Sequence, residues 1–333
     1  MRGIGAARIA AFGLALAVIP VSGGAEIDWD RIDLAQERAA IERFQAFDQR
    51  LQDVGWKMVR GNALFCDSVI PSIGLQLQDL ASYGAPQVAR AALALNGDFA
   101  VQTAALGSPA AATGAFPANR EVTLINRTDP NAWEAEERLY WPRLTRAHDF
   151  IDSALANHAE ITIGFANGET AQVKPVDVCA TRFELMGEGT RAVADGGRVV
   201  IGIEFPAFAY EEPVFAGVVA HELAHNLLGH KEWLDRNGRG RRNIRRTERE
   251  ADRLMPWLLA NAGYDPIAAQ QFMETWGPRG DGGLLRNRSH DGWDERAEFI
   301  AAEIPQINAL MARNGAADWS VHFRREVDPE QGL

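Results

Sequence analysis

The feature that most constrains this chain is a pair of histidines, His221 and His225, with Glu222 directly after the first. On an α-helix, residues four apart are separated by about 40° around the axis, so both imidazoles leave from one face. Two imidazoles stacked in this way can bind one metal ion, and zinc is the usual occupant. Glu222 lies about 100° round from His221, where it can reach a metal-bound water and act as a general base.

The surroundings of this motif predict a buried helix. Residues 214–220 are apolar or small, and Leu223, Leu227 and Leu228 continue the apolar pattern. Two unpaired imidazoles and a carboxylate inside such a helix would carry a large desolvation cost unless something binds them. The alternative interpretation is a pair of satisfied core histidines, which needs no metal.

A catalytic zinc site needs a third protein ligand and an open position for water. One candidate is His230, which would suggest a metzincin-like site. On a continuing helix, however, His230 points roughly opposite to His221. We therefore interpret His230 as a residue at the helix C-terminus beside Gly229, where a partial positive charge suits the helix dipole.

The other candidate ligand is Glu248, which shares one face of a second predicted helix with Asp252. Glu248 can bind the metal, while Asp252 can accept the outward N–H of a ligating histidine and fix its tautomer. The alternative is a solvated acidic helix start with Thr247 as N-cap. Glu250 is the weaker choice of ligand, because it lies two residues from Glu248 and faces elsewhere.

Three motifs within roughly residues 175–305 carry a family resemblance. They are His221-Glu222-Leu223-Ala224-His225, Glu248-Arg249-Glu250-Ala251-Asp252-Arg253 and Ala262-Gly263-Tyr264-Asp265-Pro266. Together they resemble the gluzincin-type zinc endopeptidases of metallopeptidase family 48, the HtpX, BepA and Oma-like proteases. The resemblance implies one zinc ion bound by His221, His225 and Glu248, with Glu222 as the base.

The same resemblance bears on a later segment. The family has a His-Pro pair followed by an acidic residue and an arginine, and Ser289-His290-Asp291 and Glu295-Arg296 occupy that place here. His290 would then approach the metal as a catalytic residue that stabilises the oxyanion, or it would cover the zinc in a latent form. Arg296 would support the site. Asp291 stands where the family has proline.

Residues 85–175 are interpreted as a separate, mostly-β module. Gly107-Ser108-Pro109-Ala110-Ala111, then Gly114 and a predicted strand over residues 120–126, resemble a degenerate PDZ domain. A helix is predicted over residues 139–155, and a closing hairpin turns at Asn167-Gly168. A PDZ fold binds an extended peptide by adding a strand to its sheet. The alternative is an alanine-rich structural insertion.

The N-terminal segment, residues 1–25, has the pattern of a secretory signal peptide. Arg2 and Arg8 precede an apolar stretch over residues 9–21, and small residues follow at 23–25. This predicts export to the periplasm or beyond, with an uncleaved anchor as the alternative. In an exported chain, the two cysteines, Cys66 and Cys179, are expected to form a disulfide rather than remain buried thiols.

The predicted fold is α+β: a mainly helical gluzincin-type metalloprotease domain with a small edge sheet, plus the PDZ-like module. The predicted segments are 1–25 signal peptide, 26–84 N-terminal helical segment packing on the protease domain, 85–175 module, 176–317 protease domain and 318–333 C-terminal tail. The tail is expected to be weakly ordered, although Trp319 and Phe323 could dock on the core. A surface loop is predicted over residues 236–246, strands over 183–185 and 198–205, and a last helix over 295–314, interrupted near Pro305.

These observations predict an exported zinc-dependent endopeptidase that acts on protein or peptide substrates, including unfolded or envelope proteins. A non-enzymatic zinc-binding chaperone or adaptor that holds clients through the module is the alternative. The net charge of −11 argues against a nucleic-acid partner. After residue 25 the sequence has no long apolar segment, so no stable membrane insertion of the mature chain is expected.

Overall fold

The computed structural model describes residues 27–157, 160–280 and 292–327. The predicted signal peptide and His290 therefore lie outside the described residues. Within them the chain is mixed α+β with small sheets, as the sequence predicted at that level.

The helices and strands of the described residues have the following bounds. The helices are α1 (Leu34–Gly61), α2 (Pro86–Leu93), α3 (Pro109–Ala112), α4 (Pro142–Asn157), α5 (Glu212–Leu227), α6 (His230–Asn237), α7 (Arg241–Asn261), α8 (Ile267–Trp276), α9 (Trp293–Asn314) and α10 (Trp319–His322). The strands are β1 (Val69–Ser72), β2 (Leu75–Asp79), β3 (Phe99–Ala104), β4 (Val122–Ile125), β5 (Ile161–Phe165), β6 (Thr170–Val173), β7 (Val176–Cys179), β8 (Arg182–Met186), β9 (Ala192–Ala194) and β10 (Arg198–Gly202).

The helical half of the molecule, defined as α1 and α5–α9, contains the largest hydrophobic core. Its centre is α5, where Val219 and Leu223 are fully buried. Both α7 and α8 pack against α5. The approach of α8 depends on Gly217, because a Cβ at that position would lie 2.7 Å from Cβ of Phe272.

Helix α1 has the amphipathic pattern that the sequence predicted, and its termini explain its length. The carboxylate of Asp33 accepts hydrogen bonds from the backbone N–H groups of Ala35 and Gln36, which caps the helix N-terminus. At the other end, the side chain of Asn62 donates to the carbonyls of Met58 and Leu258. The second of these bonds ties the end of α1 to α7.

The arginine-rich segment predicted as a mobile surface loop is largely helical. Helix α6 ends at Asn237 and α7 begins at Arg241, so only residues 238–240 separate them. Arginine has a high helix propensity, which favours the early start of α7. Thr247 is therefore buried inside α7, with Oγ1 donating to the carbonyl of Ile244. The alternative interpretation, a solvated helix start with Thr247 as N-cap, is therefore wrong, because α7 begins six residues before Thr247.

The β half, defined as β2–β6 and α4, has a second core of its own. Strands β4, β5 and β6 form an antiparallel sheet, and the predicted hairpin across Asn167-Gly168 is confirmed by the β5–β6 pairing. Strand β2 lies before residue 85 and pairs with β3, which lies after it. Helix α4 packs against β2.

A small mixed sheet lies next to the histidine helix α5. Its order is β8–β10–β9, with β8 and β10 parallel and β9 antiparallel to β10. Strand β9 is one of the two edge strands of this sheet and contacts α5. The side chain of Val193 in β9 is exposed.

In the C-terminal segment that the sequence predicted to be weakly ordered, residues 319–322 form α10, and Trp319 and Phe323 pack on the helical core, the docking that the sequence had allowed. Trp319, Phe323 and Val327 are buried. The predicted interruption near Pro305 is absent, since α9 runs through that residue. The predicted disulfide between Cys66 and Cys179 is present, with the two Cα atoms 5.6 Å apart. Among the helices that the structure describes, none is long and apolar enough to cross a membrane.

Candidate metal site

Three predicted ligands meet between α5 and α7. Nε2 of His221 and Nε2 of His225 are 3.2 Å apart, and each lies 3.5 Å from a carboxylate oxygen of Glu248. All three ligand atoms lie within 4.8 Å of one another. Small residues allow the two helices to approach closely, because Ala220, Ala224 and Ala251 are fully buried in the same core.

His221 is supported by Asp252, as the sequence predicted. Nδ1 of His221 is buried and lies 3.1 Å from Oδ1 of Asp252, an acceptor within reach. Asp252 is itself fully buried, and Arg296 from α9 donates to both of its oxygens, at 2.6 and 2.8 Å. Burial alone would raise the pKa of Asp252, but the charge and hydrogen bonds of Arg296 and the interaction with His221 together lower that pKa.

His225 is supported by a residue that the sequence analysis placed elsewhere. Nδ1 of His225 lies 2.8 Å from Nδ1 of His230, and Nε2 of His230 lies 2.8 Å from Oε2 of Glu250. The sequence suggested that His230 is the C-terminal residue of a helix, and this interpretation is wrong. His230 is the first residue of α6 and is only 1% exposed, because Gly229 adopts φ 64° and turns the chain back towards α7.

Glu250 faces away from the ligand cluster, as predicted, but it is completely buried. Its carboxylate accepts hydrogen bonds from His230, from the guanidinium of Arg325, and from the backbone N–H groups of Glu326 and Val327. Burial alone would raise the pKa of Glu250, but the hydrogen bonds from His230 and Arg325 lower it to about 2.

Glu222 lies on α5 between the two ligating histidines in sequence and faces the edge strand β9. Burial raises the pKa of Glu222 to about 7, and a hydrogen bond from the backbone of Ala194 in β9 partly opposes that shift. A carboxylate with a pKa near neutrality can both take up and release a proton at physiological pH, which suits a general base.

The donor set can hold a divalent cation. Burial lowers the pKa of His225 to about 3, so this imidazole is neutral. The pKa of His221 would also fall on burial, but hydrogen bonds to Asp252 and Glu248 raise it to about 10. The carboxylates of Glu248 and Asp252 are the groups that attract positive charge to the cluster. Two imidazole nitrogens and one carboxylate oxygen leave a fourth tetrahedral position open, as catalytic zinc sites do.

Most of the predicted site residues come together. His221, His225, Glu248, Asp252 and Arg296 lie in one cluster, with Glu222 on the same helix as the histidines. His290 lies outside the described residues.

The sequence analysis considered His230 and Glu250 only as metal ligands and set both aside, and it did not consider Arg325. The signal for the observed position of His230 is Gly229, which can end one helix in a left-handed conformation and let another begin. No local pattern points to Arg325, because it lies 75 residues from Glu250.

Comparisons with known proteins leave the family assignment at the level of a resemblance. No protein-family model, curated protein or solved structure gives a significant match to this chain. The geometry of the site therefore carries the functional argument.

Proposed function

We propose that this chain is an exported zinc-dependent endopeptidase. The observation that carries the proposal is the convergence of His221, His225 and Glu248, with Glu222 on the same helix beside the edge strand β9. The motif resemblance to gluzincin-type proteases of metallopeptidase family 48 supports it. The Cys66–Cys179 disulfide supports export, because disulfides persist in oxidising compartments.

Each site residue has a separate role in the proposed peptide hydrolysis. His221, His225 and Glu248 would hold the zinc ion, which when bound supplies a Lewis acid that polarises the scissile carbonyl and acidifies a water molecule. Glu222 accepts the proton of the attacking water and delivers it to the leaving amine nitrogen. Asp252 and Arg296 hold the ring of His221 in place. His290 is proposed to stabilise the oxyanion or to cover the zinc.

The edge strand offers a means of orienting the substrate. Among the described residues, β9 pairs only with β10, so its other edge can pair with an extended peptide. The Ala194 backbone contacts Glu222, which places this edge next to the proposed base. Backbone pairing favours substrates that can adopt an extended conformation, such as unfolded proteins. The β half is proposed to be a PDZ-like module that retains such clients.

The experiment is a Glu222→Gln substitution, assayed on casein with parallel elemental analysis of bound zinc. We expect zinc to be retained and the cleavage rate to fall by about 10²–10⁴-fold, the usual contribution of a general base. Glu211→Gln, at the exposed start of the same helix, is the matched control and should cleave normally. Cleavage by Glu222→Gln at the parental rate would show that the proposal is wrong.

A further inference from the structure

We infer that His230 and Glu250, held by the C-terminal segment Arg325–Val327, position His225 by fixing its tautomer so that Nε2 is free to bind the metal. The inference rests on the proposed function, because it concerns the same metal site. It assigns positioning roles to residues that lie outside the proposed ligand set.

Glu250 is surrounded by groups that can only donate. Its carboxylate accepts two hydrogen bonds from Arg325 and one each from the Glu326 and Val327 backbones. Four such donors around one carboxylate favour its ionised form, which can only accept hydrogen bonds. The proton in the 2.8 Å contact with His230 therefore belongs to Nε2 of the histidine.

The proton on Nε2 of His230 determines whether Nδ1 of the same ring donates or accepts a hydrogen bond. A neutral imidazole carries one N–H, so Nδ1 of His230 is an acceptor. Across the 2.8 Å contact between the two Nδ1 atoms, His225 must then donate. With its proton on Nδ1, His225 presents a bare Nε2 to Nε2 of His221 and to Glu248.

The opposite direction would disable the ligand. If His230 donated from Nδ1 as an imidazolium, His225 would accept at Nδ1 and carry its proton on Nε2, where the metal must bind. His230 is only 1% exposed, and Arg325 lies against the same carboxylate. Burial beside an existing guanidinium disfavours a second positive charge.

The C-terminal segment anchors this arrangement from outside the two metal-binding helices. Val327 is fully buried against Trp233 and Leu234 of α6. A second donor group of Arg325 contacts the carbonyl of Leu228, at the end of α5. The segment therefore joins the end of the histidine helix, the start of α6 and Glu250 on α7.

The test measures zinc affinity by competition with a chromogenic chelator, using the full chain and Zn²⁺ alone. His230→Leu should weaken zinc binding by about 10–100-fold, the range found when a residue supporting a metal ligand is lost. The matched control is His148→Leu, which removes a half-buried histidine that accepts from the Leu77 backbone in the β half. It should lower thermal stability while leaving zinc affinity unchanged.

A second variant and a spectroscopic readout keep the test informative if His230→Leu does not fold. Glu250→Gln keeps the shape of the side chain but places an amide against the donors, so it should also weaken zinc binding. In long-range ¹H–¹⁵N spectra of histidine-labelled, zinc-loaded protein, His225 should be the Nδ1–H tautomer and His230 the Nε2–H tautomer.

The outcomes separate this inference from the proposed function. Parental zinc affinity in both variants, or an imidazolium or Nδ1–H signal from His230, would overturn the inference while leaving the endopeptidase proposal intact. Unchanged cleavage by Glu222→Gln would instead overturn the proposed function, and weakened zinc binding in the His230 and Glu250 variants would still support the positioning roles.

Discussion

The two halves of the molecule treat buried polar groups in different ways. In the β half, Arg143 donates to both oxygens of Asp79 and to Asp98, at 2.6–2.8 Å. Each contact there joins a donor to an acceptor. In the helical half, the nitrogens of His221 and His225 and the carboxylate of Glu248 approach to 3.2–3.5 Å. When both rings carry their proton on Nδ1, these three atoms are all acceptors.

This difference distinguishes a structural charge cluster from a binding site. Complementary donors and acceptors satisfy one another, and their arrangement is explained by folding alone. Acceptors that face one another inside a protein repel unless a proton or a cation lies between them. We propose that a cation fills this role in the helical half, and substitutions in the two halves should separate ligand binding from folding.

The largest expected effect comes from removing one of the facing acceptors. Glu248→Gln should weaken zinc binding by more than the roughly 10–100-fold lost with a supporting residue, and cleavage should disappear. The thermal stability of the metal-free chain should persist, because the change relieves crowding of acceptors. Chelator competition and calorimetry measure the two quantities.

The control for this prediction is Glu274→Gln, an exposed carboxylate on the neighbouring helix α8. It should match the parent in both measurements. Zinc affinity of Glu248→Gln equal to that of the parent would remove Glu248 from the ligand set and undo the contrast between the two halves.

The second-largest effect is expected for a buried ion pair in the β half. Arg143→Met leaves the fully buried carboxylate of Asp79 without its partner guanidinium, and breaking a buried pair costs about 3–5 kcal/mol of unfolding free energy. The zinc affinity of the folded chain should not change. Urea unfolding followed by circular dichroism gives the stability.

The matched control is Arg90→Met, because Arg90 also contacts Asp98 but is 32% exposed. Solvent screens this partly exposed pair, so its loss should cost no more than about 1 kcal/mol. Equal destabilisation by the two substitutions would contradict the distinction between the buried and the partly exposed pair in this half.

The smallest effect is a pH dependence in the β half. Burial and the charge of Arg182 lower the pKa of His148 to about 3, below its ordinary value near 6.5. Below pH 6.5, His148 therefore binds a proton in the unfolded chain but stays neutral in the folded chain. The free energy of unfolding falls as the pH falls. Between pH 7.5 and pH 5 we expect His148 to account for roughly 1–2 kcal/mol of that loss.

His148→Gln tests this directly, because glutamine can still accept from the Leu77 backbone but does not titrate in this range. Urea unfolding at pH 7.5 and pH 5 should show a smaller loss of stability for the variant than for the parent. The same loss in both chains would assign the pH dependence to other groups.

The sequence by itself determined the parts of the site that one helix carries. The spacing of His221 and His225, and of Glu248 and Asp252, follows from helical periodicity, which is a local property of the backbone. The same periodicity predicted α1, and alternation around a turn signal predicted the β5–β6 hairpin. The prediction from composition is wrong at residues 236–246. The high charge of this segment was interpreted as a sign of a loop, although arginine favours helix.

Only the tertiary structure decided which residues hold His225 in position through its Nδ1. His230 reaches it because the chain reverses at Gly229, and Glu250 is completed by donors 75 to 77 residues away. Contacts between segments so far apart leave no periodic trace in a single sequence, since each segment satisfies its own local rules. They form because a buried carboxylate and a buried imidazole must each find partners, and packing decides which partners are within reach.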